Sequence, residues 1–433
     1  MGALREPLHQ SCTFLMLPHL RSFVSLFTSY GLLILANGLL TTLLGLRAMA
    51  EGFGTRVTGL MMALYFLGMF LGAMYAGRVV RRAGHIRAFA AFASLLSISP
   101  LIYTLWPVPA VWSLFRLTDG WCLAGLFMVT ESWLNDRADN ASRGSVLALY
   151  MVVNYMAYGA AQLLLPVWDL STFNPYAICA VFFSLSVIPL LMTRAIAPDL
   201  EHDNGIALKH VLSRAPVGFW GAACAGIVSA SFFSMAPVFA DGMGFSTTEI
   251  SYFMAAGILG GLALQIPLGK LSDRMERRVV ISAVATASAL CSALIVLQVK
   301  FSPSLVTLMV SAFLFGSLAL TLYSLSAAHA NDWCDPDKRA RIAATLLIGY
   351  GGGAVAGPLM TALFMGWLGP VGLFVFIAAC CIVLAGYAFH LSRVRENATE
   401  KVSFVPQPSP MPGPEELYMS VQEQADPVPD PAP

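Results

Sequence analysis

RLTDGWCLAGLFMVTESWLNDRADN, residues Arg116–Asn140, lies in an apolar run that begins near Val111, yet it carries Arg116, Asp119 and Glu131. It continues ASRGSVLALYMVVNYMAYGAAQ to Gln162. A charge at the centre of a bilayer costs roughly 3 kcal/mol, so a chain that keeps one sets it against a protein interior or a water-filled cavity. At about 100° per residue, Gly120 lies about 40° from Arg116, Asp119 about 60° to the other side, and Glu131 about 60° away after four turns. One helix face therefore carries both signs of charge. The remaining sequence is expected to bury that face and to give solvent access to it from a central vestibule.

Working outward, the 433 residues are 57% hydrophobic and 11% charged, with a mean hydropathy of +0.72. A soluble domain carries about 25% charged residues, so the chain reads as an all-α membrane protein. Long apolar runs exclude a membrane barrel, whose strands would alternate over about ten residues. The net charge of +1, without a basic cluster interleaved with aromatics, gives no nucleic-acid signal. Of eight cysteines, Cys122, Cys179, Cys224, Cys291, Cys380 and Cys381 fall in apolar runs and Cys12 and Cys334 outside them. No Cys/His spacing suggests a metal, and no cofactor is expected. The first 20 residues, with Pro7, His9, Pro18 and His19, lack a clean cleavable signal.

A membrane-crossing helix needs roughly 20 apolar residues. Twelve candidate spans follow: 22–45, 57–79, 86–106, 111–133, 145–167, 175–196, 216–239, 249–270, 279–299, 304–327, 342–365 and 369–391. Links such as Trp106–Ala110, Phe301–Ser304 and Gly366–Pro370 are so short that neighbouring spans must be antiparallel. With the N-terminus inside, 21 of the 25 Lys+Arg fall on one side, only Arg47, Arg56 and Lys300 on the other, and Arg116 in the membrane. The positive-inside rule then puts both termini in the cytoplasm. The polar gap Ala197–Pro216 divides six spans from six. Domains are expected at 1–21 (N-terminal segment), 22–196 (first six-helix bundle), 197–215 (linker), 216–395 (second bundle) and 396–433 (tail). The halves repeat weakly: Gly77–Arg87 matches Gly269–Arg278, and Asn135-Asp136 matches Asn331-Asp332. The tail holds nine of the 25 prolines and reads as disordered.

GKLSDRMERR (Gly269–Arg278) is the most specific motif. Gly269 allows close helix approach, and Asp273 can accept hydrogen bonds and pair with Arg274, Arg277 or Arg278. Such a cluster can be a conformational latch or only a topology-setting group of cations. The motif resembles the loop signature G-x-L-x-D-R-x-G-R-R of the major facilitator superfamily, with Glu276 in place of Gly. The first-half copy keeps Gly77, Arg82 and Gly84 but has Arg81 where the family has Asp. Arg116-x3-Gly120-x3-Ala124 resembles a second family signature, whose Arg is linked to proton transfer. Glu131–Gly144, the following LALYMVVNY, and Ala327–Asp332 are similar to the YcaD-like branch. YGGGAVAGP (Tyr350–Pro358), with Gly353, Gly357 and Pro358, resembles a helix-bending signature associated with exporters; tight packing is the alternative.

The resemblance implies twelve transmembrane helices in two pseudo-symmetric six-helix bundles, the major facilitator fold. It also implies a secondary transporter of a small molecule in a bacterial inner membrane, a monomer with no enzymatic activity. Proton-coupling candidates are Arg116, Asp119 and Glu131, although Arg116 and Asp119 could form an ion pair that only locks helices. A uniporter, or a sensor acting through the Pro-rich tail, are the rivals. Cavity candidates are Asn37, Asn154, Gln162, Ser231, Ser234, Gln265, Tyr323 and His329, each of which could instead make an interhelical hydrogen bond.

Overall fold

The computed structural model describes residues 9–137, 143–192, 206–301, 304–333, 338–395, 401 and 404–407. Parts of the expected N-terminal segment, linker and tail (1–8, 193–205, 396–400, 402–403 and 408–433) lie outside the described residues. The first half comprises α1 (His9–Ala50), α2 (Gly54–Ala83), α3 (His85–Leu105), α4 (Pro109–Arg137), α5 (Arg143–Leu164) and α6 (Asn174–Leu191). A short helix, α7 (Leu208–Arg214), precedes the second half: α8 (Pro216–Gly242), α9 (Thr247–Ala263), α10 (Gln265–Arg274), α11 (Arg277–Lys300), α12 (Leu305–Ala319), α13 (Leu322–Asp332), α14 (Arg339–Leu368) and α15 (Gly372–Val394).

Eleven stretches among the described residues are long and apolar enough to cross a membrane, with α9–α10 and α12–α13 each counted as one. The expected fourth span, α4, has 29 residues but is not among the eleven, because Arg116, Asp119 and Glu131 lower its apolarity. It lies packed between α2 and α3, so protein rather than lipid surrounds its charges.

Two breaks in the second half were not expected from the apolar pattern. Pro267 has no N–H to give to the Ala263 carbonyl, which weakens the turn where α9 ends. At the second break, after Ala319, the hydroxyls of Ser317 and of Thr321, just beyond α12, donate to the carbonyls of Phe313 and Ser317. The same bonds at Ser288 and Ser292 leave α11 unbroken, so they accompany the break without accounting for it. The two breaks adjoin: a Cβ on Gly261 would sit 3.0 Å from Leu320.

Within the first half α1 packs on α5 and α6, α2 on α4, and α3 on α4 and α6. The halves meet through α2 on α14, α5 on α9, and α1 on α8. The second helix of each half thus faces the fifth helix of the other, as a pseudo-two-fold axis requires. Where helices touch, glycines let backbones meet: a side chain on Gly68 or Gly120 would overlap the carbonyl of Leu117 or Tyr65. Gly84, at φ 83, makes the α2–α3 turn, a conformation that glycine reaches without a Cβ clash.

One expectation about the tail is corrected. Val405 and Gln407 are buried and Phe404 is packed against Gly269, so this part of the tail is not free chain. Its apolar Phe404-Val405-Pro406 fills a gap between α10 and α13.

Candidate functional site

Arg116, Asp119 and Glu131 are 0%, 1% and 2% exposed. Gly68, Gly72 and Gly120 bring α2 and α4 into backbone contact, and this seats Arg116 behind Tyr65. Its guanidinium carbon lies 3.9 Å from the centre of the Tyr65 ring, a cation–π contact. Asp119 is 3.8 Å from an Arg116 nitrogen and accepts a 2.6 Å hydrogen bond from the Tyr103 hydroxyl of α3. The Trp112 indole N–H, donating to the Tyr103 carbonyl at 3.0 Å, fixes this corner. Among the described residues no hydrogen bond of good geometry reaches the three guanidinium nitrogens or Asp119 Oδ1, although Tyr103 and Ser99 lie close enough to interact with the pair. A buried charge left short of partners costs several kcal/mol.

Toward the other end of α4, Glu131 accepts a 2.7 Å bond from the Tyr150 hydroxyl. Tyr150 stacks against Tyr30 with ring centres 4.5 Å apart. From there a ladder of side-chain bonds joins α1 to α5. Tyr30 donates to Asn154 at 2.7 Å, Asn37 to Tyr158 at 2.8 Å, and Thr42 to Gln162 at 2.8 Å. The α5 members recur every fourth residue and so form one stripe. Tyr65 donates to Asn37 at 3.2 Å, which connects the ladder to the Arg116–Asp119 corner. Asp119 and Glu131 are separated by twelve residues, about 18 Å along the axis.

A cavity of about 10 Å³, room for about one water, opens between the halves. It is lined by Asn37, Thr41, Thr42, Tyr65, Phe66, Tyr158, Gln162 and, from the second half, Phe233. Asn37 and Gln162 both line this cavity. Arg116 and Asp119 do not: Tyr65 stands between them and this cavity. That corrects the expected position of these charges on the vestibule wall. The cause is the pair of glycine contacts that draw α4 in behind α2.

The remaining cavity candidates scatter. Asn154 faces Tyr30 in the ladder. Ser234 donates to the Ala230 carbonyl of its own helix, and Ser231 accepts from Thr361 at 2.9 Å. Gln265 donates to the Gln407 carbonyl at 2.7 Å and to Ser324 at 3.3 Å. Tyr323 packs edge-on against Tyr350. His329 lines a separate cavity of about 80 Å³ with Glu276, Arg277, Arg278, Asp332, Trp333 and Lys401.

The latch motif rearranges. Asp273 pairs with Arg277 at 2.9 Å, while Arg274 is exposed. Arg277 also pairs with Asp332 at 2.6 Å and donates to Ser272 at 2.8 Å, so it clamps α10, α11 and α13 within one bundle. Arg278 pairs with Glu276 and donates to the carbonyls of Leu391 and Arg395. In the first half Arg82 is exposed, and Gly77 abuts Met128. Gly353 and Gly357 meet the carbonyls of Ala223 and Ile227. Helix α14 runs through Pro358 without a break, so these glycines form its contact face toward α8. Among the tyrosines, Tyr30, Tyr65, Tyr103, Tyr150 and Tyr158 were missed. The four-residue spacing of Tyr150, Asn154, Tyr158 and Gln162 was the available signal.

A family model described as Major Facilitator Superfamily matches residues 26–297 and 218–417. A relative named "Uncharacterized MFS-type transporter YcaD" from Escherichia fergusonii is 26% identical over 392 residues, covering 89% of this chain and 99% of the relative. Among solved structures, the nucleoside transporter NupG aligns with a TM-score of 0.68 at 14% identity, covering 87% of this chain and all of that one. A bacterial homolog of the human lysosomal transporter Spinster, in an inward-facing and unoccupied conformation, gives 0.67 at 16%, covering 87% and 97%. Identities this low speak for the fold alone. With its helices packed in two halves about a pseudo-two-fold, the chain is a multi-pass membrane transporter rather than an enzyme, resembles the YcaD-type proteins, and belongs to the Major Facilitator Superfamily.

Proposed function

We propose that the chain is a proton-coupled secondary transporter that carries an uncharged or weakly charged amphipathic small molecule by alternating access. The observation that supports this is the Arg116–Asp119 pair: both groups buried inside the first half, 3.8 Å apart, with Tyr103 donating to Asp119 and Tyr65 facing Arg116. Two charges sealed this deeply cost several kcal/mol to keep. Such a pair is poised for a proton or water that comes and goes during a cycle. Asp119 is the proton-bearing group and Arg116 its counter-charge. Glu131, held by Tyr150 at the other end of α4, is the second carboxyl. Tyr65 links this corner, through Asn37, to the cavity between the halves. The amide, hydroxyl and aromatic lining of that cavity, without a charged side chain, suits the proposed cargo.

The lysine and arginine bias supports cytoplasmic termini, and the likeness to YcaD-type proteins of Escherichia supports a bacterial inner membrane. The working unit is a monomer.

The test begins with a thermal-shift screen of purified protein against a metabolite panel, since a ligand stabilises the state it binds. A hit is then followed into proteoliposomes under an imposed pH gradient. Accumulation above equilibrium, abolished by Asp119→Asn, is the expected result. Equilibration alone, unchanged by the gradient, would make the protein a uniporter.

A further inference from the structure

Helices α9 and α12 touch backbone to backbone: a Cβ on Gly260 would overlap the Phe313 carbonyl, and one on Gly316 the Gly257 carbonyl. Beyond the two breaks the same spans, now α10 and α13, are bridged by tail residues. Lys401 Nζ donates to the Met275 carbonyl at 2.7 Å. That carbonyl lies at the C-terminus of α10, where the helix dipole favours a cation. The Phe404 N–H donates to the Asp273 carboxylate at 3.2 Å. The Phe404 ring occupies the space that a side chain on Gly269 would take. The Gln407 N–H donates to Ser324 Oγ of α13 at 2.9 Å, and its carbonyl accepts from Gln265 Nε2 of α10 at 2.7 Å. Contacts at residues 275, 273, 269 and 265 mean that the tail runs antiparallel to α10 for about 15 Å.

We propose that Lys401 and Phe404–Gln407 form an autoinhibitory wedge, docked between α10 and α13, that slows the rocking of the two halves without abolishing it. Three observations support a wedge rather than a passive strap. Its tip at Gln265 lies one turn from Gly261, where α9 meets Tyr155 of the first half, so it ends beside the moving interface. It occupies Asp273, which is also an ion-pair partner of Arg277 in the clamp across α10, α11 and α13. Its N-terminal end is held at the surface: the Lys401 contacts are exposed, and Phe404 is only partly buried, which makes release feasible. The wedge rests on the alternating-access reading above, but its docking can be measured without a substrate and without proton coupling.

Hydrogen–deuterium exchange on the full chain reads docking. The amides of residues 404–407 are expected to exchange at least tenfold more slowly than in a chain carrying Gly269→Val, whose side chain displaces Phe404, or Phe404→Ser. Free-chain exchange in the unmodified protein would overturn the proposal. Spin labels on Val108→Cys and Phe301→Cys, exposed positions on opposite halves, then read the wedge's effect in a background without native cysteines. Deleting residues 401–433, or introducing Phe404→Ser, should add a second inter-label distance to the one that predominates in the full chain. An unchanged distribution in both variants would leave a docked tail without inhibitory action and would overturn the wedge. Loss of docking in Phe404→Ser with no rise in the rate of uptake would sink the wedge alone; uptake that ignores the pH gradient, with docking intact, would sink only the proton-coupled reading.

Discussion

A guanidinium sealed in a helix bundle and paired only with a carboxylate 3.8 Å away is expensive, and Arg116 is one. Replacing a buried ion pair by apolar groups of similar volume is often neutral or stabilising by about 1–4 kcal/mol. Arg116→Met combined with Asp119→Asn is therefore expected to melt at or above the wild-type temperature while losing proton-driven transport. Thermal unfolding in detergent checks the first half of that statement. A loss of about 3 kcal/mol would instead mark the pair as a structural lock. The sequence showed that these residues share a helix and that Gly120 stands beside them. It could not show that Tyr65 screens Arg116 from the cavity, because that depends on how closely α2 and α4 approach. The approach is set by Gly68 and Gly72 on another helix, and no pattern within α4 reports it. The basic motif behaves likewise. Three arginines within five residues of Asp273 are equivalent on paper, and only the turn between α10 and α11 selects Arg277. Arg277→Gln should lower stability by about 3–5 kcal/mol, as expected for breaking a buried pair. Arg274→Gln, at an exposed position, should stay within about 0.5 kcal/mol; chemical denaturation of the two variants checks the contrast.

At the level of elements, glycine placement separates contact faces from tolerant ones. Gly353 meets the Ala223 carbonyl, while a Cβ on the adjacent Gly352 would find nothing within 4 Å. Gly353→Ala should cost about 1–3 kcal/mol through overpacking, and Gly352→Ala should be neutral or gain up to about 1 kcal/mol from helix propensity. Melting temperatures of the two variants, measured side by side, decide this; equal losses would contradict the contact face. Apolar length made eleven spans legible, and a charged run sandwiched between two of them made α4 legible too. The breaks at Leu264 and Leu320 were not legible. Pro267 marks the first after the fact, but prolines also sit inside intact α3, α6, α8 and α14. The second coincides with hydroxyl back-bonding of a kind that also occurs inside unbroken α11, so no local residue pattern marks it. The tail misled for a related reason: a proline-rich composition describes a chain in water, and Phe404–Gln407 has a groove to occupy.

Over the whole molecule, the two halves are joined by two symmetry-related helix pairs, α2 with α14 and α5 with α9, and by α1 with α8. Between them lies a cavity with room for about one water. On the proton-coupled reading a group inside the first half changes charge as the seam opens, and the Arg116–Asp119 corner is joined to the seam through Tyr65 and Asn37. The most direct measurement is the luminal pH of proteoliposomes, read by a trapped dye, as a screened ligand is added outside. Ligand entry should move luminal pH in the wild type, and Asp119→Asn should bind the ligand yet leave the dye unchanged. Ligand uptake by the wild type at constant luminal pH, or an undiminished pH signal in Asp119→Asn, would contradict proton coupling at this site.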